Sequence, residues 1–234
     1  MKYSNKKWRA CALCMLAALA MTTGCQNKPA ETADSTNAAT DSVVAESPLD
    51  NAVVRAIMDR RSVRKYKPEP VPKEMLDVIL HCGINAPNAM NEQRWEVRVT
   101  NSKAFIDGVT KVFVESAEND ERVKKMVENP DFHNMFRNAP TVIFVAGKAD
   151  EKSSPIDCGL LGENIMLAAQ SMGLGTCCLG SAAGFLNSNP GAANYLKQLA
   201  FSDGYELLYA IAIGYPDESP EAKPRDASKI RYIE

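Results

Sequence analysis

Residues 141–146, TVIFVA, run apolar without the alternation of a strand that has one wet face. A strand reads this way when both of its faces are covered, so the segment predicts the central strand of a sheet. Residues 207–213, LLYAIAI, form a second predicted strand, closed by Gly214, Tyr215 and Pro216. Trp95, Val97 and Val99 alternate with Glu96, Arg98 and Thr100, the pattern of a half-buried strand. Predicted helices fill the intervals. Ser47, Pro48 and Asp50 supply an N-cap, a first-turn proline and an early acid ahead of Leu49, Val53 and Ile57, for a helix that ends near Asp59. A second opens at Pro72, carries Met75, Leu76, Ile79 and Leu80 on one face and stops near Asn85. Residues 103–136 read as helical and charged, with Glu118, Asp120, Glu121 and Arg122 as a solvated face. Asp157 is placed as the cap of a long helix that turns Leu160, Leu161, Ile165, Met166 and Leu167 inward and is stopped by Gly173 and Gly175. Helices and strands mix with no regular βαβ alternation and no internal repeat, so the class is α+β.

The amino-terminal residues obey different rules. Lys2, Lys6, Lys7 and Arg9 precede an uncharged run over residues 10–21, a secretory signal too short to span a bilayer. Gly24-Cys25 then resembles a bacterial lipobox, with Thr22 where a branched aliphatic residue is usual. On this reading residues 1–25 are a lipoprotein signal peptide and Cys25 carries the lipid; a soluble secreted form and an uncleaved anchor are the alternatives. The expected location is the cell envelope, anchored to a bacterial membrane, with the outer membrane and its periplasmic or surface face as the expected site. Residues 26–48 hold Ala, Thr, Ser, Asp and Asn without periodicity or aromatics and read as a flexible tether, which leaves 49–234 as the folded domain. Its 45% hydrophobic and 24% charged composition belongs to the whole 234-residue chain and suits one ordinary core. A net charge of -2 and a pI near 5.8 give no global positive field, which excludes nucleic acid as a partner on electrostatic grounds. Cys11 and Cys14 fall in the signal and form no metal motif; Cys82, Cys158, Cys177 and Cys178 read as mostly buried thiols, with pairing open in an exported protein.

Any basic site must therefore be local. Arg60, Arg61, Ser62, Arg64 and Lys65 follow directly on a helix, where several cations and a hydroxyl can converge on a phosphate; the same cluster serves equally as decoration of a helix C-terminus. Pro87 opens a turn containing Asn88, Asn91 and Gln93, whose amides offer the donor and acceptor pattern of a flavin pyrimidine edge, although Asn is also a common turn residue.

In order, the arginine-serine-arginine cluster, the Ala-Pro-x-x-x-Asn-x-Gln-x-Trp turn, the Asp157 helix running into Gly173-Leu174-Gly175-Thr176-Cys177, and the Gly214-Tyr215-Pro216 ending resemble the nitroreductase family of FMN flavoproteins. The resemblance covers about residues 49–234. It implies a nitroreductase-like fold, a central mixed β-sheet flanked by helices, in an intertwined homodimer with two FMN molecules at the subunit interface. Arg60, Arg61, Ser62 and Arg64 match the first flavin-binding segment, the leading residues at the phosphate and ribityl chain and Arg64 at N1 and O2 of the ring. Pro87, Asn88, Asn91 and Gln93 match the segment given by the partner subunit, and Lys223 and Arg225 match the paired basic residues that return to the phosphate. Cys178, Leu179 and Gly180 match the loop over the N5 and O4 edge. Two positions depart from the pattern: Asn88 where a serine commonly follows the proline, and Arg94 where a proline usually precedes the tryptophan.

The resemblance also implies a reaction. A positive group near N1 and O2 stabilises the charge a flavin gains on accepting hydride at N5, so Arg64 would tune the ring toward reduction. Donor and acceptor would alternate in one cleft, ping-pong fashion, the acceptor being a nitroaromatic, a quinone or a similar small molecule. No side-chain acid or base is demanded, and no catalytic residue is assigned. His81 and His133 lie on predicted helical stretches without partners at ligand spacing, so no metal is assigned either. The donor by family is NAD(P)H, which conflicts with export; a membrane-linked donor, a substrate oxidised by the flavin, or an exported flavin-binding lipoprotein without turnover are the alternatives. Residues 111–136 and 181–189 are the expected substrate lids. Cys177 and Cys178 read as packing beside the ring or as a redox-active vicinal pair.

Overall fold

The computed structural model describes residues 50–233. The signal, Cys25, the tether and the Ser47 cap lie outside the described residues. Four strands form one sheet: β1 (Trp95–Thr100), β2 (Thr141–Lys148), β3 (Gly175–Leu179) and β4 (Tyr205–Gly214), in the order β1-β2-β4-β3. All three ladders are antiparallel, with Val97 opposite Val145, Ile143 opposite Ile211 and Cys177 opposite Ala212. The parallel component of the expected mixed sheet is reduced to one bridge between Ser62 and Thr176 on the outer edge of β3.

The apolar run on β2 has the predicted cause. Val142 and Phe144 enter a core with Val109, Phe136, Leu186 and Ala212, while Ile143 and Val145 enter a second core with Ile79, Leu161, Ile165 and Ile211. The first is covered by α3 (Lys103–Glu115) and α6 (Gly180–Ser188), the second by α2 (Lys73–Ile84) and α5 (Ser154–Ser171). A strand buried on both sides has no face for polar side chains. The remaining helices are α1 (Ala52–Asp59), α4 (Glu121–Val127) and α7 (Ala193–Gln198).

Several boundaries differ from the sequence reading. The α1 helix is capped by Asn51, whose side chain accepts from Val53 and Val54 N–H at 3.1 Å. Helix α5 starts before Asp157, which is buried inside its first turn rather than capping it, and Leu160 faces solvent. Gly173, at φ 74°, provides the left-handed residue that ends α5, as expected of a glycine there. The helical reading of 103–136 fails beyond Val127. There Asn134 and Asn138 bond the local backbone: the Asn134 Oδ1 accepts from Phe136 and Asn138 N–H, and the Asn138 Oδ1 from His133 and Asn134 N–H. Side chains that satisfy their own backbone compete with a helix. His133 therefore sits on a loop, and Met135 and Phe136 are core residues rather than part of a lid. Residues 181–189 likewise form most of α6, with Ala182, Ala183 and Leu186 buried against the sheet. Among the described residues no helix is long and apolar enough to cross a membrane.

Candidate functional site

Arg60 ends α1, and the chain then extends along the open edge of β3. Val63 N–H donates to Thr176 O at 2.9 Å, Lys67 N–H to Tyr215 O at 2.9 Å, and Asp217 N–H to Lys65 O at 2.9 Å. The segment is pinned between an edge strand and the exit of β4. Val63 and Tyr66 turn inward, both buried, and the Tyr66 hydroxyl donates to Val63 O at 2.6 Å. Burial pushes the Tyr66 phenol well above its ordinary range, so it stays a neutral donor. Ser62 forms the bridge to Thr176, with Arg60 and Arg64 two residues to either side of it on the pinned segment, and the Ser62 side chain lies beside the Cys177 thiol.

The basic cluster divides. Arg61 turns back to the end of α1, donating to Met58 O at 2.6 Å and Arg60 O at 2.8 Å, the helix-decorating role. Arg60 points toward α5, 3.6 Å from the Glu163 carboxylate. Arg64 donates to Ser62 O at 2.9 Å, and its backbone N–H is received by Glu218 at 2.5 Å. Glu218 belongs to the tail leaving β4, which runs on beside Arg61 and Val63 along a cavity of about 440 Å³. Lys223 and Arg225 are exposed further along that tail, where Arg225 donates to Lys223 O at 3.1 Å and to none of the cluster residues.

Successive residues of β3 face opposite sides of the sheet. Cys177 is buried in the first core, with its thiol held up by burial against the charges of Arg64, Arg137 and Arg60; Cys178 is exposed. Two thiols on opposite faces of a regular strand cannot pair without breaking it, which removes the redox-active vicinal reading. All four cysteines of the described residues are free, and Cys82 and Cys178 are exposed rather than buried. Leu179 is buried where β3 passes into α6, and a side chain at Gly180 would meet nothing within 4 Å, so the space beside this edge is open.

The turn after Pro87 is built separately. Met90, Asn91 and Gln93 all have φ between 50° and 55°. Asn88 Oδ1 accepts from Gln93 N–H at 2.9 Å, and the buried Asp157 carboxylate accepts from Ala89 N–H at 3.2 Å. Arg94, the departure from the family pattern, ties the turn down: it pairs with Glu92 and with Glu151 at 3.0 Å, and donates to Ser153 at 3.3 Å. Asn91, Gln93 and Met90 remain exposed. Within one protomer the turn and the basic segment diverge. They touch α5 at Asp157 and Glu163, about 9 Å apart along the axis and about 120° around it. No hydrogen bond or ion pair among the described residues joins them.

Residues 57–215 match the Nitroreductase family. The chain belongs to that family. It is 29% identical over 186 residues to an NADPH-flavin oxidoreductase of Vibrio harveyi, covering 75% of this chain and 70% of that one. It is 28% identical over 189 residues to an FMN reductase [NAD(P)H] of Bacillus subtilis, with the same coverage. A solved nitroreductase with bound FMN from Desulfitobacterium hafniense superposes with a TM-score of 0.72 at 27% identity, over 79% of this chain and all of that one.

Three residues of this family member escaped sequence reasoning. Arg137, left-handed at φ 59°, lines a cavity of about 190 Å³ together with Arg64 and Glu218. Asp157 was visible as an acid but not as an acceptor for the turn. Nothing in the sequence marks Arg137 or Glu218, whose neighbours arrive from distant segments. Among the described residues no group of three or more His, Cys, Asp and Glu could hold a metal.

Proposed function

We propose that this nitroreductase-family protein is an FMN-dependent oxidoreductase working as a homodimer. The observation that carries the reading is the segment holding Arg60, Ser62 and Arg64, pinned along the outer edge of β3 through the Ser62–Thr176 bridge, with open space at Gly180 where that strand ends. Two guanidiniums and a hydroxyl suit a phosphate and an electron-rich ring edge, so the residues present fit FMN. Arg60 and Ser62 hold the phosphate with Lys223 and Arg225, brought round by the tail that starts at Glu218. Arg64 lies at N1 and O2, and Cys178, Leu179 and Gly180 border the N5 and O4 edge. Arg61, committed to α1, acts by fixing where Arg60 begins.

The exposed Asn91 and Gln93, with Asn88 and Pro87 behind them, serve the flavin of a second copy. Their divergence from the basic segment within one protomer supports that assignment, as does the unburied apolar face of α1. When bound, FMN supplies hydride acceptance and release, which no side chain provides. The protein's own residues bind, orient and bias charge, and no general acid or base is required of them. Donor and acceptor alternate in the cleft, with a nitroaromatic or quinone as acceptor and NAD(P)H or a membrane-linked carrier as donor. Cys25 anchors the domain to the bacterial envelope through the tether.

Purification should give a yellow protein with an oxidised flavin spectrum, bleached anaerobically by a donor and restored by a nitroaromatic or quinone. A protein that stays colourless after FMN loading and desalting would refute the cofactor. A yellow protein that no donor and acceptor pair can cycle would favour the flavin-binding lipoprotein without turnover.

A further inference from the structure

Arg137 stands where the assigned flavin contacts leave a cation unused. It follows Phe136, fully buried in the core, on a loop whose next residue, Asn138, is also left-handed at φ 64°. Asparagine tolerates that conformation; an arginine adopts it when its surroundings insist, and such positions gather at ligand-binding sites. Here the surroundings do insist. The Asn138 amide donates to Asp131 O at 2.6 Å and accepts from His133 and Asn134 N–H at 2.8 and 2.9 Å, while Asn134 accepts from Phe136 N–H at 2.9 Å. The loop is braced on both sides of a residue whose half-buried side chain makes no hydrogen bond or ion pair among the described residues.

That side chain opens on the cavity of about 190 Å³ it shares with Arg64, Lys65, Asp131 and Glu218. The two acids there are engaged, Asp131 with Lys65 Nζ at 3.0 Å and Glu218 with the Arg64 N–H at 2.5 Å. Arg64 and Arg137 line this one cavity, and both offset the effect of burial on Tyr66 and Cys177. The space is smaller than the roughly 300 to 1,000 Å³ of an ordinary small-molecule pocket, so it suits a head group rather than a whole ligand. A half-buried, unpaired guanidinium on a cavity that a second arginine also lines suits a carboxylate.

We propose that Arg137 binds the anionic group of the electron acceptor, so that the preferred acceptors are small aromatic carboxylates whose ring lies over the flavin. This rests on the FMN reading above, because Arg64, assigned to the ring edge, lines the same cavity. Arg137 is a specificity-determining residue, and no new bond-making step is ascribed to it.

The test uses the FMN-loaded full chain as wild type, Arg137→Ala and Arg137→Lys. Benzoate binding to the oxidised holoprotein is read from the flavin absorbance at low and high salt. Reoxidation of the photoreduced holoprotein is followed with 4-nitrobenzoate and with neutral nitrobenzene, so no physiological donor is needed. The expected result is a benzoate affinity about tenfold or more weaker in Arg137→Ala, largely recovered in Arg137→Lys and falling with salt in the wild type. The 4-nitrobenzoate concentration dependence should weaken in step, while nitrobenzene and FMN retention change by less than about twofold. Equal losses for both acceptors, or unchanged benzoate binding, would overturn the assignment. A wild type that retains no FMN removes the underlying reading as well, whereas a yellow wild type indifferent to benzoate removes the Arg137 assignment alone.

Discussion

Asp157 shows how a single side chain holds a site that it does not line. It is buried on α5, and both carboxylate oxygens lie within 3.3 Å of Ala89 N–H, at the entrance to three left-handed residues. A buried N–H left without an acceptor costs about 1 to 3 kcal/mol. Asp157→Ala should therefore lower stability by that order in thermal or denaturant unfolding, and should speed hydrogen exchange at Ala89. Asp157→Asn, which keeps an acceptor oxygen, should lose less. Equal stability of wild type and Asp157→Ala would show that the turn holds itself. Sequence reasoning placed an acid at the start of this helix but not its partner, because a cap and a buried acceptor are written with the same residue type. The same limit hid Arg137: its conformation depends on amide bonds from Asn134 and Asn138, which leave no periodic trace. Arg60, Arg61, Ser62 and Arg64 stand out in the sequence because they are contiguous, whereas the turn of Arg61 back to the end of α1 depends on where that helix stops, which a run of arginines does not specify.

Among the elements, three strands were legible and the short helices were not; β3 was not, since Cys178 and Leu179 read as a loop where the structure has the end of a strand. Strand β2 announces itself because both faces are buried; β1 shows the alternation in its residue types, with Trp95 buried, although Val99 is exposed. Helix α6 is opaque: Gly180, Ser181 and Gly184 are poor helix formers, and the element owes its existence to the burial of Ala182, Ala183 and Leu186. The element that positions the site is the pairing of the Ser62 segment with β3, which demands close approach. A Cβ added at Gly175 would lie 2.8 Å from the Val63 side chain. Gly175→Ala should then push Ser62 and Arg60 off the strand edge, at a cost of about 1 to 3 kcal/mol and with weaker FMN retention after gel filtration. Adding Val63→Ala to the same chain should recover part of both losses by making room. Gly184→Ala, where nothing lies within 4 Å, serves as the control and should be neutral or stabilising. Unaltered stability and flavin retention in Gly175→Ala would mean that the segment is not held by this contact.

For the whole molecule the decisive fact is the exposed apolar face of α1. Val53, Ile57 and Met58 of α1 are 67%, 52% and 67% exposed, and no residue of α1 is buried. Ile156 and Leu160 of α5 are exposed as well. An eight-residue helix is marginal without a surface to lie on, and a contiguous exposed apolar face of this kind marks an interface. The proposed homodimer supplies that surface, and it also supplies the second half of the site. In a twofold interface every substitution acts twice. Ile57→Asp removes a side chain whose full burial is worth about 1.5 to 3 kcal/mol, so the dimer should lose about 3 to 6 kcal/mol, a weakening of about a hundredfold or more in its dissociation constant. Sedimentation should show monomers at concentrations where the wild type is dimeric, with the far-ultraviolet dichroism preserved because α1 contributes nothing to either core. FMN should be lost on dilution in parallel with dissociation, although Arg60, Ser62 and Arg64 are untouched, since the amides of the partner's turn leave with it. The exposed Arg122→Ala should change neither property. If Ile57→Asp remains dimeric and yellow at every concentration, α1 does not form the interface; if it is monomeric and still retains FMN, one protomer holds a complete site and the divergent turn has another purpose.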